Sequence, residues 1–361
     1  MTVNLETLAG ELKQEHPPQH TLGLQVDEWR VRVDSNNDEL IKHLAHYFKP
    51  FVREISEPDT HVVAIECTEP DWGIEYTDWE REGGKVGRKD AFADVEGGRM
   101  IWKVRTGMQF LLGEQTRLAV GQCLKNDNQV INFIITQYIT WLLERGNALC
   151  HAAAVEWQGK GLMFAGFSGG GKSTLSLHLM SRGAKYTSGD RVLIKADHEK
   201  VRMHGVPKLP RINPGTALNN PDLAKIIPGQ RKSELAKLSR DELWKLEEKY
   251  DVYIDECFGA DRFAMSADVD ALFVLNWHRN SEDPTELHEV NLVEREDLLA
   301  AVMKSPGPFW IPVDGNPPAK KPAVDPGWYL PHVQYMRVYE VTGRADFDAA
   351  ADKIEAMLKD L

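Results

Sequence analysis

The sequence is poor in the features that mark secreted, zinc-binding or disulfide-linked proteins. It contains only four cysteines, at positions 67, 123, 150 and 257, and none of them forms a C-x-x-C pair. Structural zinc is therefore not expected, and scattered thiols are typical of a reduced, cytoplasmic protein. The residues after Met1 show neither the basic stretch nor the apolar stretch of a secretion signal.

Charge and hydropathy argue against two further classes of protein. The net charge is −12 at pH 7, whereas binding to nucleic acid or to an anionic membrane needs a basic surface. The longest uncharged run, residues 128–143, is shorter than a membrane span and contains Asn and Gln. We therefore expect a buried helix there, and neither a nucleic-acid partner nor a membrane partner.

One stretch matches the phosphate-binding pattern G-x-x-x-x-G-K-[ST]. Its fixed positions are filled by Gly166, Gly171, Lys172 and Ser173. An apolar run at residues 162–165 predicts a buried strand before the loop, and apolar residues between 175 and 180 predict a helix after it. A phosphate loop needs this order of strand, glycine loop and helix. The sequence therefore predicts a P-loop that binds ATP with Mg²⁺.

The residue types in this loop suit a polyphosphate. Glycines let the backbone turn its N–H groups inward, and the start of the helix adds a positive dipole end. Lys172 supplies a mobile charge for the β- and γ-phosphates, and the Ser173 hydroxyl is placed to ligate Mg²⁺. The predicted ATP-binding residues are Gly166, Phe167, Ser168, Gly169, Gly170, Gly171, Lys172, Ser173 and Thr174.

Two other segments carry candidate residues. Asp190 stands 18 residues after Lys172 and directly before an apolar strand. It is interpreted as a carboxylate on the metal side of the phosphate site, the alternative being a turn residue beside Gly189. Lys208 and Arg211 lie on a proline-stiffened loop. That loop is either a second anion clamp or a connection with solvated charges.

The 361 residues allow two domains. Alternating strand patterns and one helical pattern predict a small α+β N-terminal domain over residues 1–125. Residues 126–361 are predicted to form the phosphate-binding domain, with a hairpin feeding the loop and a strand and helix closing the chain. The proline-rich residues 305–327 are predicted to be an extended linker.

The stretch from His151 to Ile194 resembles the catalytic domain of HPr kinase/phosphorylase and the HprK-related kinases, whose P-loop core is shared with ATP-dependent phosphoenolpyruvate carboxykinase. His151 lies 15 residues before Gly166, and Arg182-Gly183 follow Gly166 by 16 and 17 residues, as in the family. Gly189-Asp190 stands where the family has an Asp-Asp pair. The resemblance implies an α/β fold, α+β overall, with a P-loop kinase core on a mixed sheet.

The resemblance also implies an ATP-dependent kinase that transfers the γ-phosphoryl group to a hydroxyl of a protein serine or of a small molecule. Lys172, Asp190, His151 and Arg211 are then the candidate catalytic residues, and Ser173 and Asp190 the candidate magnesium ligands. His151 either handles the proton of the acceptor or is a hydrogen-bonded core residue. The family's oligomers make a homo-oligomer possible. Because Gly189 replaces the first carboxylate, the identity of the general base stays open.

Two rival functions remain. The missing carboxylate favours a nucleotide-binding regulator without chemistry. The other rival is an ATPase that drives a partner. Against it, the apolar strand 271–275 ends in Asn276-Trp277 rather than in the Asp-Glu that such enzymes use.

Overall fold

The computed structural model describes residues 3–80, 87–167, 169–239, 242–243, 246, 248–312, 315 and 317–360. Contacts divide the chain into two compact units. The first unit is Met1–Arg145 with Ser305–Ala323, and the second is Gly146–Lys304 with Val324–Leu361. Both units are mixed α/β structures built on mixed sheets. None of the described helices has both the length and the apolar character that crossing a bilayer requires.

The first unit contains one eight-stranded sheet in the order β1-β2-β3-β8-β7-β6-β5-β4. Its β2–β3 and β3–β8 pairs are parallel, and the other pairs are antiparallel. The strands are β1 His20–Val26, β2 Trp29–Ser35, β3 Thr60–Glu66, β4 Thr77–Asp78, β5 Asp90–Val95, β6 Gly98–Lys103, β7 Gln109–Gly113 and β8 Arg117–Gly121.

The helices of the first unit are α1 Leu5–Glu15, α2 Asp38–Tyr47 and α3 Asp127–Leu143, with a 3₁₀ turn at Lys49–Phe51. The first two helices begin at asparagine caps. Asn4 accepts a hydrogen bond from the Thr7 amide, and Asn37 accepts one from the Leu40 amide, which satisfies an N–H group that the helix start leaves without a partner.

The contact-based division differs in two places from the boundary predicted after residue 125. Helix α3 groups with the first unit, where Phe133 lies 4.9 Å from Phe110 between ring centroids. Residues 305–323, predicted as linker, also group with the first unit, and Phe309 lies 5.2 Å from Phe110. Aromatic contacts with Phe110 of the first unit accompany both differences.

The second unit contains a nine-stranded mixed sheet. Its main path runs β12-β10-β11-β17-β14-β13-β9, and β19 pairs with both β17 and β18. The strands are β9 Ala148–Cys150, β10 Ala152–Trp157, β11 Lys160–Gly166, β12 Lys185–Ser188, β13 Val192–Asp197, β14 Lys200–Gly205, β17 Ser266–Leu275, β18 Glu286–Val290 and β19 Val338–Thr342. A separate two-stranded ribbon joins β15 Arg211–Ile212 to β16 Tyr250–Asp251.

The described helices of the second unit follow the strands along the chain. They are α4 Lys172–Ser181, α5 Pro214–Leu218, α6 Gly229–Leu235, α7 Ile254–Phe258, α8 Glu296–Val302, α9 Leu330–Val333 and α10 Phe347–Met357, with 3₁₀ turns at Ala224–Ile226 and Pro326–Trp328. Of these, α4 contacts both β10 and β11 and packs against α10.

The hairpin predicted ahead of the glycine loop is present. Strands β10 and β11 pair antiparallel, and Gln158 and Gly159 turn the chain with φ of 55° and 81°, the positive values that a tight hairpin turn favours. The alternating residues of β11 enter two different cores. Phe164 lies in one core and Met163 in the other. Because both faces are buried, this strand reads as a continuous apolar run in the sequence.

Candidate functional site

The predicted strand, glycine loop and helix follow one another without interruption. Strand β11 ends at Gly166, and α4 begins at Lys172. Gly166, Gly169 and Gly171 have φ of 151°, 80° and 90°, values that residues with a side chain rarely adopt. Ser168, predicted as part of the ATP site, lies outside the described residues. The backbone therefore curls here in the way that only glycines allow.

The first turn of α4 is left open to an anion. Its N-cap is Gly171, no side chain of the described residues caps its first N–H groups, and its first turn carries no acidic residue. The amide hydrogens at a helix start lack partners within the helix and carry the positive end of its dipole. Together these features fit a phosphate at this position.

Lys172 reaches back over the loop. Its ammonium group donates to the carbonyl oxygens of Gly166 at 2.8 Å and Phe167 at 3.5 Å. The pKa of Lys172 is lowered to about 8, mainly by burial; the charge of Asp190 opposes this change and the charge of Lys304 adds to it. A buried cation held mainly by backbone carbonyls would be stabilised by an incoming polyphosphate.

Two aromatic residues that sequence reasoning missed support the loop. The Trp277 indole N–H donates to the Gly170 carbonyl at 2.8 Å, and its ring meets Phe347 edge-on at 5.2 Å between centroids. A Cβ added at Gly171 would lie 2.8 Å from the Phe347 ring. Trp277 follows β17, the parallel neighbour of β11. One feature of the sequence points to Trp277. The pair Asn276-Trp277 directly follows β17, at the position where an ATPase would carry an acidic pair.

The two predicted magnesium ligands lie on neighbouring segments. The Ser173 hydroxyl donates to the Gly189 carbonyl at 3.0 Å, so the turn that carries Asp190 lies against the start of α4. The Asp190 side chain is 56% exposed. Partial burial opposes its ionisation, but the His151 hydrogen bond and the charges of Lys304 and Arg191 hold the pKa of Asp190 well below its usual range.

This donor set fits a magnesium ion that shares its ligands with phosphates. Within the described residues, no group of three or more His, Cys, Asp or Glu side chains is arranged to hold a metal. One hydroxyl and one ionised carboxylate cannot form a complete protein cage. Mg²⁺ bound to a nucleotide usually takes one or two protein oxygens, with phosphate oxygens and waters completing its octahedron.

His151, predicted to lie near the phosphates, is found beside Asp190. Its Nε2 atom is 3.4 Å from the Asp190 Oδ1 atom. Its backbone N–H donates to the Val302 carbonyl at 2.7 Å, which fixes the bend between β9 and β10. Strand β13, which follows Asp190, is not a neighbour of β11 but is separated from it by β17 and β14. The Ser173–Gly189 contact therefore brings Asp190 to the loop, rather than adjacency in the sheet.

Two clefts flank the start of α4. The Ser173 cleft, of about 330 Å³, is lined by Ser173, Asp190, Arg191, Lys208, Arg211 and Lys249 among others. The Thr174 cleft, of about 720 Å³, is lined among others by Thr174, Thr216, Asn213, Arg279, Arg344 and Phe347. Adjacent hydroxyl residues of α4 thus face different clefts.

Arg211 and Lys208, predicted from the proline-rich loop, lie in the same cleft as Asp190. The Arg211 Nε atom is 3.1 Å from the Asp251 Oδ1 atom across the β15–β16 ribbon. Burial lowers the pKa of Lys208 to about 8, and the charge of Arg191 adds to that effect. The structure therefore brings His151, Asp190, Lys208 and Arg211 to the Ser173 side of the glycine loop.

No protein-family model and no curated protein matches the sequence. Among solved structures, the chain is similar to the HPr(Ser) kinase/phosphatase from Coxiella burnetii. The TM-score is 0.31 at 12% sequence identity, over 59% of this chain and 88% of that chain.

Proposed function

We propose that this protein is an ATP-dependent phosphotransferase of the HPr kinase-like type, with ATP and Mg²⁺ bound at the start of α4. One observation carries the proposal. The buried ammonium group of Lys172 lies over a loop in which Gly166, Gly169 and Gly171 have positive φ, at a helix start that no described side chain caps. Backbone N–H groups, a helix dipole and a desolvated cation then converge on one place, as phosphoryl transfer requires.

The two clefts suggest how a nucleotide would lie. The Thr174 hydroxyl is 3.1 Å from the Thr216 hydroxyl, in the larger cleft. That cleft has the size of a small-molecule site and presents amide side chains, arginines and the Phe347 ring. We assign the nucleoside to this side. The γ-phosphoryl group would then face the Ser173 cleft, where the acceptor binds.

Five residues near the loop have proposed roles in the transfer. Lys172 would neutralise charge that spreads over the γ-phosphoryl oxygens. Ser173 and Asp190 would hold magnesium, which when bound shields the phosphates from one another. His151 would accept the proton of the acceptor hydroxyl, and Asp190 at 3.4 Å would stabilise the imidazolium that forms. Arg211 would orient the acceptor or the transferred phosphoryl group.

Transfer from γ-labelled ATP to a cell lysate tests this proposal, because the lysate supplies the acceptor whatever its identity. The Lys172→Ala variant should lose about 100-fold or more of the transfer rate, the loss typical of removing one transition-state donor. Lys160→Ala is the matched control, because Lys160 begins β11, the strand that leads into the glycine loop, and pairs with Asp270 at 3.2 Å. Undiminished transfer by Lys172→Ala, with cooperative unfolding retained, would refute the proposal.

A nucleotide-binding regulator is the second candidate, and Gly189 favours it. A Cβ at this position would lie 3.0 Å from the Tyr186 hydroxyl, so the site is closely packed around a residue without a carboxylate. Tight ATP binding without ADP formation in the lysate assay would support the regulator. ADP formation without any labelled acceptor would support a partner-driven ATPase.

A further inference from the structure

The Ser173 cleft is strongly cationic in a protein that is acidic overall. Arg191, Lys208, Arg211 and Lys249 line it, and Asp190 is the only acidic residue among the described residues that line it. The whole chain carries a net charge of −12. Concentrating like charges in one concave site costs free energy unless an anion binds there. The cleft therefore has the charge of an anion-binding site.

The loop that supplies Lys208 and Arg211 is held in place. Pro207 and Pro210 restrict its backbone, and the hydroxyl of the buried Tyr186 donates to the Lys208 carbonyl at 2.7 Å. Pro210 atoms lie 3.6 Å from where a Cβ of Gly189 would be. Because the loop is already fixed, little conformational entropy is lost when a ligand binds to it.

The arginines of the cleft are only partly satisfied by carboxylates. The Arg191 Nε atom is buried and makes no hydrogen bond to any described residue, and its Asp190 contact is 3.7 Å long. The Arg211 Nε atom lies 3.1 Å from the Asp251 Oδ1 atom, and the Arg211 side chain stays 50% exposed. Burial together with neighbouring cations lowers the pKa of Lys208 to about 8, which indicates a site that would gain from a bound anion.

We propose that the phosphoacceptor is a small hydroxylated compound that carries its own oxyanion, a phosphate ester or a carboxylate, held by Lys208 and Arg211. This inference rests on the proposed kinase function. The cleft volume of about 330 Å³ suits a small molecule. In the reaction the acceptor oxygen forms a bond to the γ-phosphorus, the bond to the ADP oxygen breaks, and the hydroxyl proton passes to His151.

Calorimetry on the full chain, saturated with a non-hydrolysable ATP analogue and Mg²⁺, tests this inference. With the γ-phosphate position filled by the analogue, inorganic phosphate and acetate serve as probes for the second anion site, and glycerol is the neutral control. We expect millimolar binding of at least one anion and none of glycerol. Binding of phosphate alone indicates a phosphate ester, and binding of acetate indicates a carboxylate.

Two variants locate the site. Lys208→Met and Arg211→Gln should each weaken anion binding about tenfold or more, as expected for loss of a charge-assisted hydrogen bond. Arg202→Gln is the control, because Arg202 pairs with Asp268 at 3.2 Å and is 51% exposed, much like Arg211. Arg211→Gln alters a half-exposed side chain, so it carries the test if Lys208→Met does not fold.

The outcomes separate this inference from the proposed function. Failure of the analogue itself to bind would contradict the proposed function. Analogue binding without anion binding, or anion binding unchanged in both variants, would overturn the inference alone. In the labelled-ATP assay, label in a small anionic product other than inorganic phosphate supports the inference. Label found only on protein would overturn it.

Discussion

Replacing Gly171 by alanine tests whether the glycine loop is held in its conformation by the aromatic residues beside it. Gly171 has φ of 90°, and a non-glycine residue in the left-handed region costs about 1–2 kcal/mol. The new methyl group would also lie 2.8 Å from the Phe347 ring, and such overpacking costs about 1–3 kcal/mol. The expected loss of unfolding free energy is thus about 2–5 kcal/mol.

Gly159→Ala is the matched control for this substitution. Gly159 has φ of 81°, and a Cβ there would meet nothing within 4 Å, so only the backbone cost of about 1–2 kcal/mol applies. Urea unfolding of both variants measures the difference, and calorimetry measures ATP affinity. We expect ATP to bind about tenfold or more weakly to Gly171→Ala, which equals about 1.4 kcal/mol, and normally to Gly159→Ala.

A double-mutant cycle with Phe347→Ala isolates the steric part. In the Phe347→Ala background, Gly171→Ala should lower the free energy of unfolding no more than Gly159→Ala does, because the ring that the new methyl group would meet has been removed. Equal costs of Gly171→Ala and Gly159→Ala in the wild-type background, with unchanged ATP affinity, would refute the assignment of Phe347 as a support of the loop.

Three further predictions concern single side chains. Trp277→Phe keeps an aromatic ring but removes the indole N–H that donates to the Gly170 carbonyl at 2.8 Å. The free energy of unfolding should fall by about 0.5–1.5 kcal/mol, and ATP should bind more weakly. A calorimetric titration that finds the wild-type ATP affinity would contradict this prediction. Ser173→Ala should raise the Mg²⁺ concentration for half-maximal ATP binding about tenfold or more, while Ser173→Thr should leave it unchanged. The same Mg²⁺ concentration in Ser173→Ala and in the wild type would exclude Ser173 as a magnesium ligand. Burial and the charge of Lys195 lower the pKa of His332 below 6.5, and its Nδ1 accepts from the Ala196 amide at 3.0 Å. Because the unfolded chain then binds the proton more readily, the free energy of unfolding should fall as the pH drops below about 6.5. The urea midpoint of His332→Gln should fall less over the same pH range. A fall as large as that of the wild type would show that His332 does not cause the pH dependence.

The strand, loop and helix around Lys172 could be predicted from the sequence, because each is marked by residues that are close together in the chain. The run 162–165, buried on both faces of β11, and the glycine pattern depend on a few consecutive residues. The 3.4 Å distance between His151 and Asp190 was not predicted, because it depends on how the turn at Gly189 packs against the start of α4. The roles of these residues remain proposals.

Contacts between distant parts of the chain could not be predicted. Phe347 lies 176 positions after Gly171 in the sequence, and only the packing of α10 against α4 brings its ring to the loop. The grouping of residues 305–323 with the first unit likewise depends on where Phe309 packs. A proline-rich composition indicates extended backbone, but it does not predict which hydrophobic core that segment packs against.

The most direct test of the central claim is a calorimetric titration of the full chain with ATP and Mg²⁺. Lys172 and the start of α4 predict one ATP per chain, with affinity reduced about tenfold or more in Lys172→Ala, the loss expected for a charge-assisted hydrogen bond, and unchanged in Lys160→Ala. A wild-type chain that binds no ATP, or a Lys172→Ala variant that binds it equally well, would contradict the account.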